Sequence, residues 1–330
     1  MQTSWIRGAV VSMLLGPEAE PANATPGSPG HVPLETFVSR LETERRDSRD
    51  CLHVWRSGEG VTLPSLGVLG EAVSHRRTLG EALRTLARGF PVLQSNSALS
   101  VEVEEGLAHI SYRVLDPRIW PRRADAELTL GLIRGICGRY GVAREAVLGL
   151  SFEHEADRDL REMAQYLGQA PRFGQEENRI TLAAGVLGNT RHDGAEDPRL
   201  GAIWWRAVES GMADLRRQAP VSHRVQETIL RQIGRHPVNQ QAVAAHLGMS
   251  ERSLRRALAA EARSFHDILE ECRRIEGFAL LVRSNRQFHE IAMLLGYSDQ
   301  TAFSRAFSRW YGAPPRDIRR MGLAEESVIR

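Results

Sequence analysis

Residues 243–250 read Val-Ala-Ala-His-Leu-Gly-Met-Ser, and 48 positions later residues 291–298 read Ile-Ala-Met-Leu-Leu-Gly-Tyr-Ser. Each copy has a small residue, Ala244 or Ala292, where a second helix can cross closely. Each then has a glycine, Gly248 or Gly296, where the chain must enter left-handed backbone, and a serine, Ser250 or Ser298, at the start of a further helical stretch. A supporting helix, a glycine turn and a capped second helix make the layout of a helix-turn-helix, whose second helix enters the DNA major groove. One such pattern is equally well an ordinary helical hairpin. Two in one chain, both followed by arginine, narrow the reading to a DNA-binding unit.

After the first copy, Leu254 and Leu258 are expected to face the core, which leaves Arg252, Arg255 and Arg256 outside, with Arg252 and Arg256 on one side. The second copy carries one extra residue before its core position Phe303, repeated at Phe307, and exposes Gln300, Thr301, Ser304, Arg305 and Ser308. Arginine and short polar side chains on the leading turns of such helices meet phosphates and base edges. The candidate contact set is therefore Ser250, Arg252, Ser253, Arg255, Arg256, Gln300, Thr301, Ser304 and Arg305. Between the copies, Ile268, Cys272, Ile275, Ala279 and Val282 recur at helical spacing. That predicts one helix of about 18 residues, roughly 27 Å, a strut suited to two readers about one DNA turn (~34 Å) apart.

Charge follows the same division. Residues 221–330 hold 17 Arg against 12 acidic residues, whereas the rest holds 26 against 29. The basic C-terminal third fits a polyanionic partner. All 43 basic residues are Arg, which excludes lysine phosphate loops and Schiff-base chemistry and suits bidentate contacts to phosphate and guanine. Cys51, Cys137 and Cys272 lie too far apart for a metal-ligand spacing and read as reduced thiols of a cytoplasmic protein. Trp5–Leu15 is read as an amphipathic helix rather than a secretory signal, and no segment reaches the ~20 apolar residues of a membrane span.

The N-terminal half mixes helices and strands without a glycine-rich βαβ turn, so it is expected to be α+β. A Pro/Gly/Ala-rich loop covers 16–33, helices are expected over 34–44, 70–88, 124–140, 157–167 and 200–217, a hairpin over 99–114, and strands over 147–154 and 178–182, with a loop over 188–198. The glycines Gly131, Gly135, Gly138 and Gly141 are read as close-packing positions, not a nucleotide fingerprint. His154-Glu155-Ala156-Asp157-Arg158 starts like a zinc-protease helix but lacks the second histidine, and no catalytic constellation or metal set is found. His53, His109 and His154 are taken as ordinary strand or loop residues, and Trp204-Trp205 as packing. Trp55, Tyr112, Arg113, Trp120 and Glu153 are weighed as pocket residues, with a core, surface or interface place favoured for each.

Residues 221–320 resemble the two-motif DNA-binding domain of the AraC/XylS family of bacterial transcription regulators. The matching stretches are 244–258 (AAHLGMSERSLRRAL), 291–315 (IAMLLGYSDQTAFSRAFSRWYGAPP) and Arg319-Arg320. Gly277, where the family usually has Ala, and Ile318, in place of its usual aromatic, depart at packing positions. The resemblance implies that Arg252, Arg255 and Arg256 are the first helix's DNA contacts, and Thr301, Ser304 and Arg305 the second's. Less specifically, Leu66–Gly70, Thr78–Leu83 and Pro171–Gly174 are similar to the arabinose-binding-type effector domain of one branch of the family, whose effectors vary widely.

The expectation is an α+β effector and dimerisation domain over 1–218, followed by an all-α domain over 219–330 with helix-turn-helix motifs near 239–260 and 288–311 joined by a linker helix. Its expected partners are double-stranded promoter DNA, a small-molecule effector, RNA polymerase and a second copy of the chain, with no membrane, cofactor or enzymatic activity. Alternatives are a constitutive regulator whose first domain only dimerises, and an enzyme fused to a DNA-binding module.

Overall fold

Trp5–Arg7 forms strand β1, which runs antiparallel to β2 (His31–Pro33) and leads into helix α1 (Gly8–Leu15). These belong to a computed structural model that describes residues 4–15, 30–156, 160–191, 196–234 and 238–320. Most of the Pro/Gly-rich stretch, part of the 188–198 loop and the first residues of the 157–167 helix lie outside that range. The chain divides into two compact units, Gln2–Val114 with Ile119–Leu215, and Leu115–Arg118 with Arg216–Arg330.

In the first unit, α2 (Leu34–Asp47) and α3 (His53–Gly60) precede α4 (Gly67–Ser74) and α5 (Leu79–Gly89). The single helix expected over 70–88 is two helices, because Thr78 starts a new one. Its hydroxyl accepts the Glu81 amide at 3.3 Å while the Glu81 carboxylate accepts the Thr78 amide at 3.3 Å, a reciprocal cap that ends any continuous helix there. Helix α3 was not expected, and it moves His53 from the expected strand or loop to a helix start.

Strands β3 (Ser97–Glu104) and β4 (Leu107–Val114) form the hairpin, with Glu105-Gly106 as its two-residue turn. Helix α6 (Arg123–Arg139) follows, then β5 (Val147–Ser151), α7 (Leu160–Leu167) and β6 (Asn178–Ala183). The four strands make one antiparallel sheet in the order β3-β4-β6-β5. Helix α8 (Pro198–Gln218) closes this part of the chain, with Trp204 and Trp205 packed on the first unit's core and the Arg88 guanidinium 4.7 Å over the Trp205 ring.

Helix α6 is buried along most of its length and crosses α3 at glycines on both sides. A Cβ at Gly58 or Gly131 would collide with the carbonyl of Leu128 or Trp55, and one at Gly135 would lie 2.6 Å from the Glu59 oxygen. Close packing therefore accounts for Gly131 and Gly135, as expected, but not for Gly138, whose Cβ would meet only the end of the Arg134 side chain at 3.4 Å, nor for Gly141, which takes left-handed backbone with φ of 72°.

The second unit is helical: α9 (Val221–Gln232), α10 (Gln240–His246), α11 (Glu251–Ala260), α12 (Phe265–Arg283), α13 (Phe288–Leu294) and α14 (Gln300–Tyr311). The α10–α11 pair packs on α9, and the α13–α14 pair on α12. The seam of α12 is shifted from the expected one: Ile268, Leu269 and Cys272 are buried, as are Ala279 and Leu281, while Ile275 and Val282 are half-buried. Leu281 belongs to the core of the second motif, with Ile291, Leu295, Phe303 and Phe307. At 19 residues, α12 is about 28 Å long.

Candidate nucleic-acid interface

Both turns adopt the left-handed backbone that their glycines were expected to supply, with φ of 68° at Gly248 and 76° at Gly296. A side chain is disfavoured there, so each glycine fixes the angle between its two helices.

The caps differ between the copies. Ser250 caps α11, its Oγ accepting the Ser253 amide at 3.1 Å. In the second copy the cap is Asp299, not Ser298: an Asp299 carboxylate oxygen accepts the Ala302 amide at 2.8 Å, and the Ser298 hydroxyl donates to Asp299. The extra residue of the second copy thus moves the cap along by one. That amide bond and the Ser298 hydroxyl hold the Asp299 carboxyl below its ordinary range.

Helix α11 buries Leu254 and Leu258 and turns Arg252, Arg255 and Arg256 outward. Arg255 lies 3.5 Å from Glu251, and both groups are well exposed, so the pair is weak. Among the described residues, Arg252 and Arg256 make no ion pair. Ser253 is half-buried, 2.9 Å from the Ser250 hydroxyl, so these two serines are already engaged with each other and with the cap. On α14, Gln300, Thr301 and Arg305 are exposed and Ser304 is half-buried, with Thr301 and Arg305 on the face opposite Phe303 and Phe307 and Gln300 at the helix start. The candidates thus gather into one cluster on each second helix.

Two residues that hold this arrangement were missed in the sequence. Arg273 of α12 donates from Nε to the Leu295 carbonyl at 2.9 Å and from Nη2 to the Gly296 carbonyl at 3.1 Å, with its guanidinium 4.8 Å over the Tyr297 ring. It satisfies the carbonyls left open where α13 ends. Arg273→Ala is expected to destabilise the second motif by about 2 kcal/mol, seen as a lower unfolding midpoint of the second unit. An unchanged midpoint contradicts this role. No spacing rule marks Arg273, since its partners are backbone atoms 22 and 23 positions away.

Glu261, just past α11, accepts the amides of Val221 at 2.7 Å and Ser222 at 2.9 Å and so caps α9, which has no side-chain cap of its own. Burial pushes its carboxyl up, but the bonds from Ser222 and Val221 outweigh it and the net shift is downward. A carboxyl with a lowered folded value stabilises above its unfolded value of about 4.3 and loses that contribution as pH falls through the folded one. The stability of the second unit is therefore expected to fall in that acid range, less steeply in Glu261→Gln. An identical acid limb in the variant contradicts it.

In the first unit, Trp55 and Tyr112 are core residues, each about 1% exposed. Glu153 receives Arg122 through both oxygens, at 2.7 and 2.8 Å, and that pair outweighs burial to keep its carboxyl below the ordinary range. Arg113 and Trp120 are half-buried. His109 lies on β4 with Nδ1 3.2 Å from the Thr181 hydroxyl. His154 is buried beside Phe152 and Phe173, while Asp157 and Arg158 of the same stretch lie outside the described residues.

Residues 19–190 match the family model described as the arabinose-binding domain of AraC transcription regulator, N-terminal, and residues 243–321 match a helix-turn-helix domain model. The chain belongs to the AraC family of transcription regulators. This AraC-family chain is similar to the ornithine utilization regulator of Pseudomonas aeruginosa, 27% identical over 263 residues that span 79% of this chain and 76% of the relative. It is also similar to the HTH-type transcriptional regulator VirS of Mycobacterium tuberculosis, 28% identical over 262 residues, 78% and 76% of the two chains. The crystal structure of the transcriptional regulator CdpR from Pseudomonas aeruginosa aligns over 94% of this chain and 96% of that one, at 22% identity and a TM-score of 0.42. As an AraC-family member the chain is a DNA-binding transcription regulator whose relatives are regulators, not enzymes. No helix among the described residues is long and apolar enough to cross a membrane.

Proposed function

We propose that this regulator inserts α11 and α14 into successive major grooves of a promoter half-site and changes transcription in response to a small molecule bound by its first unit. The observation that carries the reading is the duplication: two glycine-turned, side-chain-capped helices, each with outward arginine on its leading turns, joined by one linker helix. Arg252, Arg255, Arg256 and Arg305 supply salt-dependent attraction to phosphates, and an arginine that reaches a guanine edge supplies discrimination. Thr301, Ser304 and Gln300 add shorter-range contacts. Ser250 and Ser253 act mainly by holding the first turn of α11. Effector binding shifts the chain toward a form that fits the promoter. Activation through RNA polymerase and action as a homodimer are supported by the family resemblance. The assignment of 1–218 to sensing and 219–330 to DNA reading belongs to the same proposal.

Guanine N7 methylation protection on a bound promoter tests the groove geometry. Two protected clusters centred about 10 base pairs apart on one DNA face are expected; a single cluster contradicts two-helix insertion. Responsiveness is tested separately, with a promoter reporter in cells given an array of metabolites. Output that is flat across the array contradicts the effector.

A further inference from the structure

Both reading helices are expected to meet a polyanion, yet an acid stands on the leading turn of one of them. Helix α11 (ERSLRRALAA) carries Glu251 at its first position, directly after the Ser250 cap, whereas α14 (QTAFSRAFSRWY) carries no acid. Asp299, before α14, is engaged in the cap. A carboxylate beside phosphates weakens DNA binding. The helix dipole favours an acid at a helix start but does not require one, since α14 begins with Gln300.

The Glu251 carboxylate lies 3.5 Å from the guanidinium of Arg255 one turn along, with the two side chains 43% and 70% exposed. A pair that exposed is weak, so neither group is locked to the other and both can turn to a partner. Together they present a hydrogen-bond acceptor beside a donor. The major-groove edge of a C·G base pair presents the complement: cytosine N4 donates, guanine O6 and N7 accept, and N4 and O6 are themselves about 2.9 Å apart. An A·T pair also sets a donor, adenine N6, beside an acceptor, thymine O4. There the adenine N7 flanks the donor and repels a carboxylate, and thymine offers the guanidinium one acceptor where guanine offers two. A pair turned round, G·C, puts both guanine acceptors against the carboxylate.

We propose, on the reading that α11 enters a major groove, that Glu251 is a specificity-determining residue which with Arg255 selects one C·G base pair of the half-site. The carboxylate accepts from cytosine N4, and the guanidinium donates to the guanine of the same pair. At every other sequence the carboxylate meets acceptors or phosphates and opposes binding, so Glu251 lowers general affinity while it sharpens discrimination.

The test is selection from a pool of randomised duplexes by the full chain and its Glu251→Gln, Glu251→Ala and Arg255→Ala variants, with Arg252→Ala/Arg305→Ala in parallel. The wild type is expected to fix one C·G position in the part of the site read by α11. Glu251→Gln is expected to lose about tenfold of that preference and to move it toward A·T, because an amide pairs with adenine N6 and N7. Glu251→Ala is expected to lose it without that move, and Arg255→Ala to relax the same position. Both Glu251 variants are expected to bind a random duplex more tightly than the wild type at low salt. Uniform weakening on all sequences with a lower unfolding midpoint would make Glu251 a helix-start residue only, and overturns the proposal. Relaxation of different positions by the Glu251 and Arg255 variants overturns it too. An unchanged profile in the Glu251 variants, with the profile lost in the double arginine variant, overturns the proposal alone. A profile kept in the double variant as well overturns the groove insertion on which the proposal rests.

Discussion

Replacing Arg252 and Arg305 together with alanine is expected to weaken binding to the cognate promoter by roughly 4 kcal/mol, about a thousandfold. Both are exposed on the outer faces of capped helices, where the substitution removes no core packing. They lie on different motifs, so their effects are expected to add. The pattern across sequences carries the mechanism. An arginine on a guanine edge costs about 1–3 kcal/mol at the true site and little elsewhere. An arginine on phosphate weakens all sequences alike and lowers the salt slope by about 1. A double variant that keeps wild-type affinity for the promoter contradicts the placement of these helices against DNA.

Gly131→Ala is expected to destabilise the first unit by about 3 kcal/mol, through steric conflict and not through loss of any contact. The new Cβ would run into the Trp55 carbonyl, and because that atom belongs to the α3 backbone the whole helix must shift to admit it. Gly138→Ala on the same helix is the matched control. Its Cβ would meet only the end of the Arg134 side chain, at 3.4 Å, so the better helix propensity of alanine is expected to raise stability by up to about 1 kcal/mol. Thermal unfolding of the two variants therefore moves in opposite directions. Equal shifts would mean that the α3–α6 crossing is looser than the glycines indicate.

The DNA-reading unit was largely legible in the sequence because its signals are local. Gly248 and Gly296 turn as expected, Leu254, Leu258, Phe303 and Phe307 are buried as their spacing required, and the candidate arginines face outward. The cap of the second motif was misplaced by one residue because the repeat drew attention to Ser298, although Asp299 caps equally well by residue type. The break at Thr78 was also local, and the Thr-x-x-Glu spacing to Glu81 was the overlooked signal.

The rest is tertiary. Helix α3 is short, carries Gly58 and Gly60, and owes its place to α6. The shifted seam of α12 follows from its serving two packing partners, α9 near its start and the second motif's core near its end, which no single periodicity describes. Arg273 and Glu261 bond to backbone atoms far along the chain.

The most direct test of the central claim is a selection of genomic DNA fragments by the purified protein at two salt concentrations, with Arg252→Ala/Arg305→Ala in parallel. A small set of promoter fragments, enriched at both salts by the wild type and lost in the double variant, is the expected result. Salt-sensitive binding spread evenly over all fragments, and equal for the two proteins, would contradict the reading of α11 and α14 as sequence readers.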